Sequence, residues 1–198
     1  MGQLCSILRF TTNKFYSPIG LKTLDKLIQD CAANDRLSQE KLYRMFYPAL
    51  FLLCKRFFHD ERDALEALND GMLKVFRNIA SFQLGKGSFF NWVYTIVRNA
   101  AIDKYKLHGR PEPGELKDDV VIVITGNPFE CLEWKDIYGL LDALTPATRV
   151  VCSLFYLEGF SIRDIGGMLG LRPGTVKWHL NEARKKLRPV LEKYYFSK

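Results

Sequence analysis

Apolar residues recur at helical spacing from about Leu21 to Lys106 and again from about Glu130 to Tyr195, and a stretch rich in glycine, proline and acid separates the two runs. The pattern predicts an all-α chain of two small helical domains joined by a flexible linker. In the first run, Ser38 stands where a cap belongs for a helix through QEKLYRMFYPALFLLCKRFF, with Leu42, Met45, Phe46, Leu53 and Phe57 inward. Pro48 marks a candidate kink. A second helix is predicted from about Asp63 to Ala80. It carries Leu65, Leu68, Met72, Val75 and Ile79 on one stripe and Asp63, Glu66 and Asp70 on the far side, beside Lys74 and Arg77. After the loop FQLGKG, Ser88 is placed to cap a helix to about Lys106, with Phe89, Val93, Ile96 and Ala100 inward and Arg98 opposite.

The second run holds the densest signal, SIRDIGGMLGLRPGTVKWHLNEARKKLR from Ser161 to Arg188. Ser161 and Asp164 have capping-box spacing, Ile162, Ile165 and Leu169 form a helical stripe, and Gly170 closes that helix before the short turn Leu171 to Pro173. In the helix that follows, Val176, Leu180, Ala183 and Leu187 share one narrow stripe at 100° per residue. Trp178, Asn181 and Lys185 point the other way, with Glu182 and Arg188 on their flanks. A capped helix, a tight turn and a second helix that sets an apolar stripe against a basic, amide and aromatic face predict a helix-turn-helix able to read a DNA major groove.

The break between the runs, HGRPEPGELKDDVVIVITGNP, carries prolines and glycines that end any helix. Its apolar run Val120 to Ile124 has strand character and no strand partner, so it packs on a helical domain or lies along another protein.

Charge sharpens this picture. The 198 residues include 29 Lys and Arg against 22 Asp and Glu, a net charge of +7 that favours a polyanionic partner such as nucleic acid. No apolar run approaches a membrane span and the first ten residues lack signal-peptide character, which excludes membrane insertion and predicts a cytoplasmic protein. The five cysteines, Cys5, Cys31, Cys54, Cys131 and Cys152, have neither zinc nor disulfide-framework spacing and read as reduced thiols. Cys54 and His59 lack the further ligands a metal site requires.

Clustered Asp63, Glu66 and Asp70 raise the possibility of a metal-dependent nuclease or transposase. No second acidic cluster or catalytic base accompanies them, so no enzyme chemistry, metal or cofactor is predicted. Gly85-Lys86-Gly87 lacks P-loop context and reads as a turn. The stretch FQLGKGSFFNWVYTIVRNAAIDKYK interleaves aromatic rings with Lys86, Arg98, Asn99 and Lys104. Most of those rings belong to a core, yet the same mixture holds unstacked bases.

These segments, in their order and spacing, resemble the sigma-70 family of bacterial transcription initiation factors, in its small extracytoplasmic-function (ECF) form. LIQDCAANDRLSQEKLYRMFYPALFLLCKRFF, DALEALNDGMLKVFRNIASF and GSFFNWVYTIVRNAAIDKYK are similar to successive parts of the domain called sigma-2. LDALTPATRVVCSLFYLEGFSIRDIGGMLGLRPGTVKWHLNEARKKLR is similar to sigma-4. The resemblance implies an N-terminal extension over 1–20, a sigma-2-like domain over 21–107, a linker over 108–129 and a sigma-4-like domain over 130–198. It implies core RNA polymerase (β′ and β subunits) and promoter DNA as partners, with an anti-sigma factor as a further partner of the kind the family uses.

By position, the resemblance implies that Asp63, Glu66, Asn69 and Asp70 face the β′ coiled coil. Phe82, Lys86, Arg98 and Asn99 would hold a base of the −10 element. Arg172, Thr175, Lys177, Trp178, Asn181, Glu182, Arg184 and Lys185 would face the −35 element, Arg172 and Arg184 near phosphates. The chain departs from the family at Asn69 and Asp70, where Gln and Glu are common, and at Trp178, Glu182 and Arg172. Its −35 preference therefore cannot be borrowed from the family.

The helix-turn-helix is also similar to that of LuxR-type regulators. That reading requires a receiver or ligand-binding domain before it, and residues 21 to 106 show neither strands nor an apolar pocket pattern.

Overall fold

A computed structural model of the protein describes residues 21–83, 87–107 and 134–196. Every regular element among them is helical, as the periodicity predicts. The extension 1–20, the linker 108–129 with Val120 to Ile124, Lys86, Cys5 and Cys131 lie outside the described residues. The chain divides into two compact units, Met1–Tyr105 and Lys106–Lys198.

In the first unit α1 (Leu21–Ala32) ends where Asn34 takes the left-handed conformation, φ 61°, which a short polar side chain tolerates. α2 (Arg36–Lys55) begins earlier than its sequence pattern suggests. The cap is Asp35, whose carboxylate accepts the backbone N–H of Ser38 at 2.8 Å, so Ser38 lies in the first turn and does not cap it. The helix runs on through Pro48, whose exposure lets water take the carbonyl that the missing N–H leaves unpaired. α3 (Glu61–Asn78) is capped by Asp60, and a 3₁₀ turn, Ile79–Ser81, continues it. α4 (Phe89–Leu107) starts directly after Ser88.

Leu42, Phe46, Leu50 and Leu53 of α2 and Phe90 and Val93 of α4 are buried in the core, where the Phe46 and Phe90 rings pack edge to face at 5.3 Å. The buried stripe of α3 is rotated from the expected one. Leu65 is 38% exposed, while Ala64, Ala67 and Gly71 are buried beside Leu68, Met72 and Val75. At Gly71 α4 comes too close for any larger residue, and a Cβ there would stand 2.8 Å from the Val97 Cα. Met45 and Ile96, expected inward, are only half-buried.

The second unit contains α5 (Trp134–Asp142), α6 (Pro146–Cys152), a π-helical turn (Ser153–Leu157), α7 (Ile162–Leu169) and α8 (Pro173–Phe196). Pro146 opens α6 after Thr145, at the position where proline costs no hydrogen bond. Buried Arg149 ties α5 to α6. Its Nε donates to the Leu141 carbonyl at 3.1 Å and its guanidinium lies 3.4 Å from the Asp142 carboxylate. Cys31, Cys54 and Cys152 are buried and unbridged. Burial pushes the Cys54 and Cys152 thiols up to about 12, which leaves them protonated packing groups.

Candidate nucleic-acid and protein interfaces

The helix-turn-helix is built as its sequence predicts. Ser161 Oγ accepts the Asp164 N–H at 3.1 Å while the Asp164 carboxylate accepts the Ser161 N–H at 3.3 Å, closing a capping box. Gly170 ends α7 at φ 68°, and the Leu171 N–H reaches back to the Gly166 carbonyl at 2.9 Å. Only glycine fits at position 166. A Cβ there would lie 2.8 Å from the Leu171 carbonyl oxygen, so this residue sets how tightly the turn closes. Pro173 is already the first residue of α8, which shortens the turn to Leu171 and Arg172.

Along α8, Val176, Leu180, Ala183 and Leu187 are all buried, at most 2% exposed. Arg172, Lys177 and Lys185 are exposed, and Thr175, Trp178, Asn181 and Glu182 are half-buried. Lys185 Nζ sits 3.1 Å from Glu182 Oε1. Arg184 is half-buried. Its Nε donates to the Tyr156 hydroxyl at 2.8 Å, which draws the guanidinium back onto the π-helical turn.

His179, which sequence reasoning did not single out, is buried on the same helix. Thr145 donates its hydroxyl to Thr148 at 2.9 Å, and Thr148 Oγ1 stands 3.0 Å from His179 Nδ1. The direction of the Thr148–His179 hydrogen bond follows the tautomer of the ring, and Nε2 is buried without a hydrogen-bond partner among the described residues. Burial lowers the His179 pKa and Glu182 opposes that effect. The chain of three side chains fastens the recognition helix to α6. The available signal was the position of His179, adjacent to the apolar stripe at helical spacing.

The predicted polymerase-facing residues of α3 are less uniform. Asp70 is exposed and Asp63 half-buried. Glu66, although exposed, accepts an ion pair from buried Lys104 of α4 at 2.6 Å, and Lys74 pairs with Asp103 at 3.5 Å. Lys104 Nζ also stands 6.0 Å from the centroid of the Phe58 ring. Asn69 Oδ1 accepts from the Tyr43 hydroxyl at 2.8 Å. Leu65 and Leu73 are exposed on this surface, so the carboxylates share it with apolar groups.

The predicted base pocket is spread along α4. Phe82 is half-buried, its ring packed on Phe89 at 5.0 Å and Trp92 at 5.6 Å. Asn99 is exposed and shares a helix face with Trp92, but about two turns further on, roughly 10 Å along the axis. Phe82 and Asn99 therefore mark two ends of a strip. Arg98 is half-buried. Trp92 joins the candidates, and its signal was the aromatic density already noted in the sequence.

Two family models match the chain: Sigma-70 region 2 over residues 42–110 and Sigma-70, region 4 over residues 134–187. Its relatives include the ECF RNA polymerase sigma factor SigE of Mycolicibacterium smegmatis, 28% identical over 163 residues that cover 79% of this chain and 63% of SigE. The ECF RNA polymerase sigma factor SigM of Mycobacterium tuberculosis is 27% identical over 166 residues, 84% of this chain and 83% of that protein. The chain belongs to the ECF sigma factors of the sigma-70 family. Among solved structures, the sigma factor RpoE bound to the anti-sigma factor NepR from Bartonella quintana matches at 24% identity and a TM-score of 0.43. That match covers 77% of this chain and 96% of RpoE, too distant a likeness to place any residue. A region 2 match ahead of the helix-turn-helix removes the LuxR-type reading, which needs a different domain there. No helix among the described residues is long and apolar enough to cross a membrane.

Proposed function

We propose that this ECF sigma factor binds bacterial core RNA polymerase through the β′ and β subunits and directs it to promoters by reading −35 and −10 elements. It acts in the cytoplasm, by binding and not by catalysis. In this reading residues 21–107 dock on polymerase and capture the −10 strand, 108–129 link, and 130–198 read the −35 duplex. The observation that carries the proposal is α8, whose four buried positions hold it on its domain while Trp178, Asn181 and Lys185 face away from the core. Arg172, Thr175, Lys177 and Glu182 complete the groove face, and Arg184 braces it through Tyr156.

On the polymerase side, Asp70 and Asp63 supply charge, Leu65 and Leu73 supply apolar contact, and Glu66 and Asn69 are partly held by Lys104 and Tyr43. On the −10 side, an unstacked base meets the Phe82 and Trp92 end of the α4 strip, and Asn99, with Arg98 and Lys86, meets its neighbours. Run-off transcription with bacterial core polymerase tests the reading. Core polymerase with this protein is expected to initiate at promoters that core alone ignores, and no gain in specific initiation on any promoter of a genomic library would refute it.

A further inference from the structure

We infer that Glu182 and Lys185 read one C·G base pair jointly, as a matched acceptor and donor. The inference rests on the proposal that α8 enters the major groove. Both residues lie on the outward side of α8, with Trp178 four residues before Glu182 and Asn181 adjacent to it. Glu182 Oε1 and Lys185 Nζ are 3.1 Å apart, with Glu182 27% and Lys185 74% exposed.

A carboxylate on a groove-facing helix is an electrostatic liability, because the duplex it approaches carries a negative charge about every 1.7 Å. Lys185 removes that liability within the helix by neutralising the carboxylate before DNA arrives. The neutral pair presents an acceptor and a donor about one hydrogen-bond length apart. In the major groove, a C·G pair presents the complementary arrangement: the cytosine N4 amino donor sits beside the guanine O6 acceptor, which it hydrogen-bonds across the pair at about 2.9 Å. Glu182 then accepts from cytosine N4 and Lys185 donates to guanine O6 or N7 without either charge leaving its partner. An A·T pair is the poorer fit, since its thymine methyl group meets the ammonium. Arg184, one of the neighbouring cations on α8, donates its Nε to the Tyr156 hydroxyl at 2.8 Å.

The test is selection of holoenzyme, the full chain on core polymerase, against a promoter library randomised across the −35 element, with bound DNA sequenced. Wild type is expected to enrich one C·G pair by about tenfold over the other pairs at that position. Glu182→Gln keeps the shape, removes the charge and is expected to move the preference at that position towards adenine, since an amide pairs with adenine N6 and N7. Lys185→Met is expected to lose the same tenfold enrichment there and leave other positions unchanged, and the double variant should lose no more than either single change. Thermal melting of each variant confirms that the fold is intact. An unchanged cytosine preference in Glu182→Gln overturns the inference. So does a Lys185→Met variant that weakens every sequence alike and lowers the salt slope by about one, the signature of a phosphate contact. If wild type enriches no −35 sequence at all, the groove-reading role of α8 fails first; if it enriches one that neither variant alters, only the pairing assignment fails.

Discussion

α3 and α8 look alike as sequences, each with an apolar stripe opposite a charged face, but their structures use those charges differently. On α8 the side chains Lys177, Trp178, Asn181 and Lys185 lie on the side opposite the buried stripe, and an ion pair there joins Glu182 to Lys185 within the helix. On α3 the fold draws on the charged face for its own needs. Lys104, buried between α3 and α4, takes Glu66 as its counter-ion, and Tyr43 of α2 takes Asn69. A helical stripe thus states which side faces out. It does not state which outward groups are already engaged.

The largest expected effect abolishes one side of this contrast. Leu180→Ala removes a fully buried side chain beneath the groove face and should cost the second unit about 2–5 kcal/mol, read as a lower denaturant midpoint together with loss of duplex binding. A midpoint near wild type would mean that the stripe does not hold α8 in place. Next is Gly71→Ala on α3. Its new Cβ meets backbone at Val97, where neither helix can yield easily, and about 1–3 kcal/mol should be lost on thermal unfolding.

Glu66→Gln against Asp70→Asn sharpens the comparison directly. Glu66→Gln removes a charge that pairs with the buried Lys104 ammonium, but Glu66 is 68% exposed and water offsets part of the loss, so about 1 kcal/mol of stability is expected to go. Asp70→Asn should change stability by no more than about 0.5 kcal/mol and weaken capture of core polymerase in a pull-down. Equal stabilities for the two variants would place Glu66 among the docking groups alone.

The smallest effect is a pH dependence. Burial lowers the folded-state pKa of His179 below its ordinary 6.5, so the unfolded chain takes up a proton first as pH falls. Stability of the second unit should therefore be full above about pH 6.5 and decline below it until the folded-state pKa is reached. Urea unfolding between pH 7.5 and 5 measures this, and a His179→Asn variant should flatten the decline; an identical slope in that variant would assign the titration to another group.

Local chemistry made much of this protein legible from its residues. Capping boxes, a left-handed glycine and four apolar positions at helical spacing act over a few residues, so Ser161, Asp164, Gly170 and the Val176 to Leu187 stripe stand where the pattern puts them. The Asp35 cap and the small-residue stripe of α3 were misread. The first needed a choice between two nearby cap residues, and the second depends on how closely α4 approaches. Partners distant in the chain were invisible for the same reason: Thr148 and His179 are 31 residues apart, and Tyr156 and Arg184 are 28 apart. Periodicity and turn chemistry are written in neighbouring residues, so the sequence by itself determined the helices, the helix-turn-helix and the outward face of α8. Which outward side chains are tethered, and how far Phe82 lies from Asn99, depend on where helices meet, and only the tertiary structure decided that.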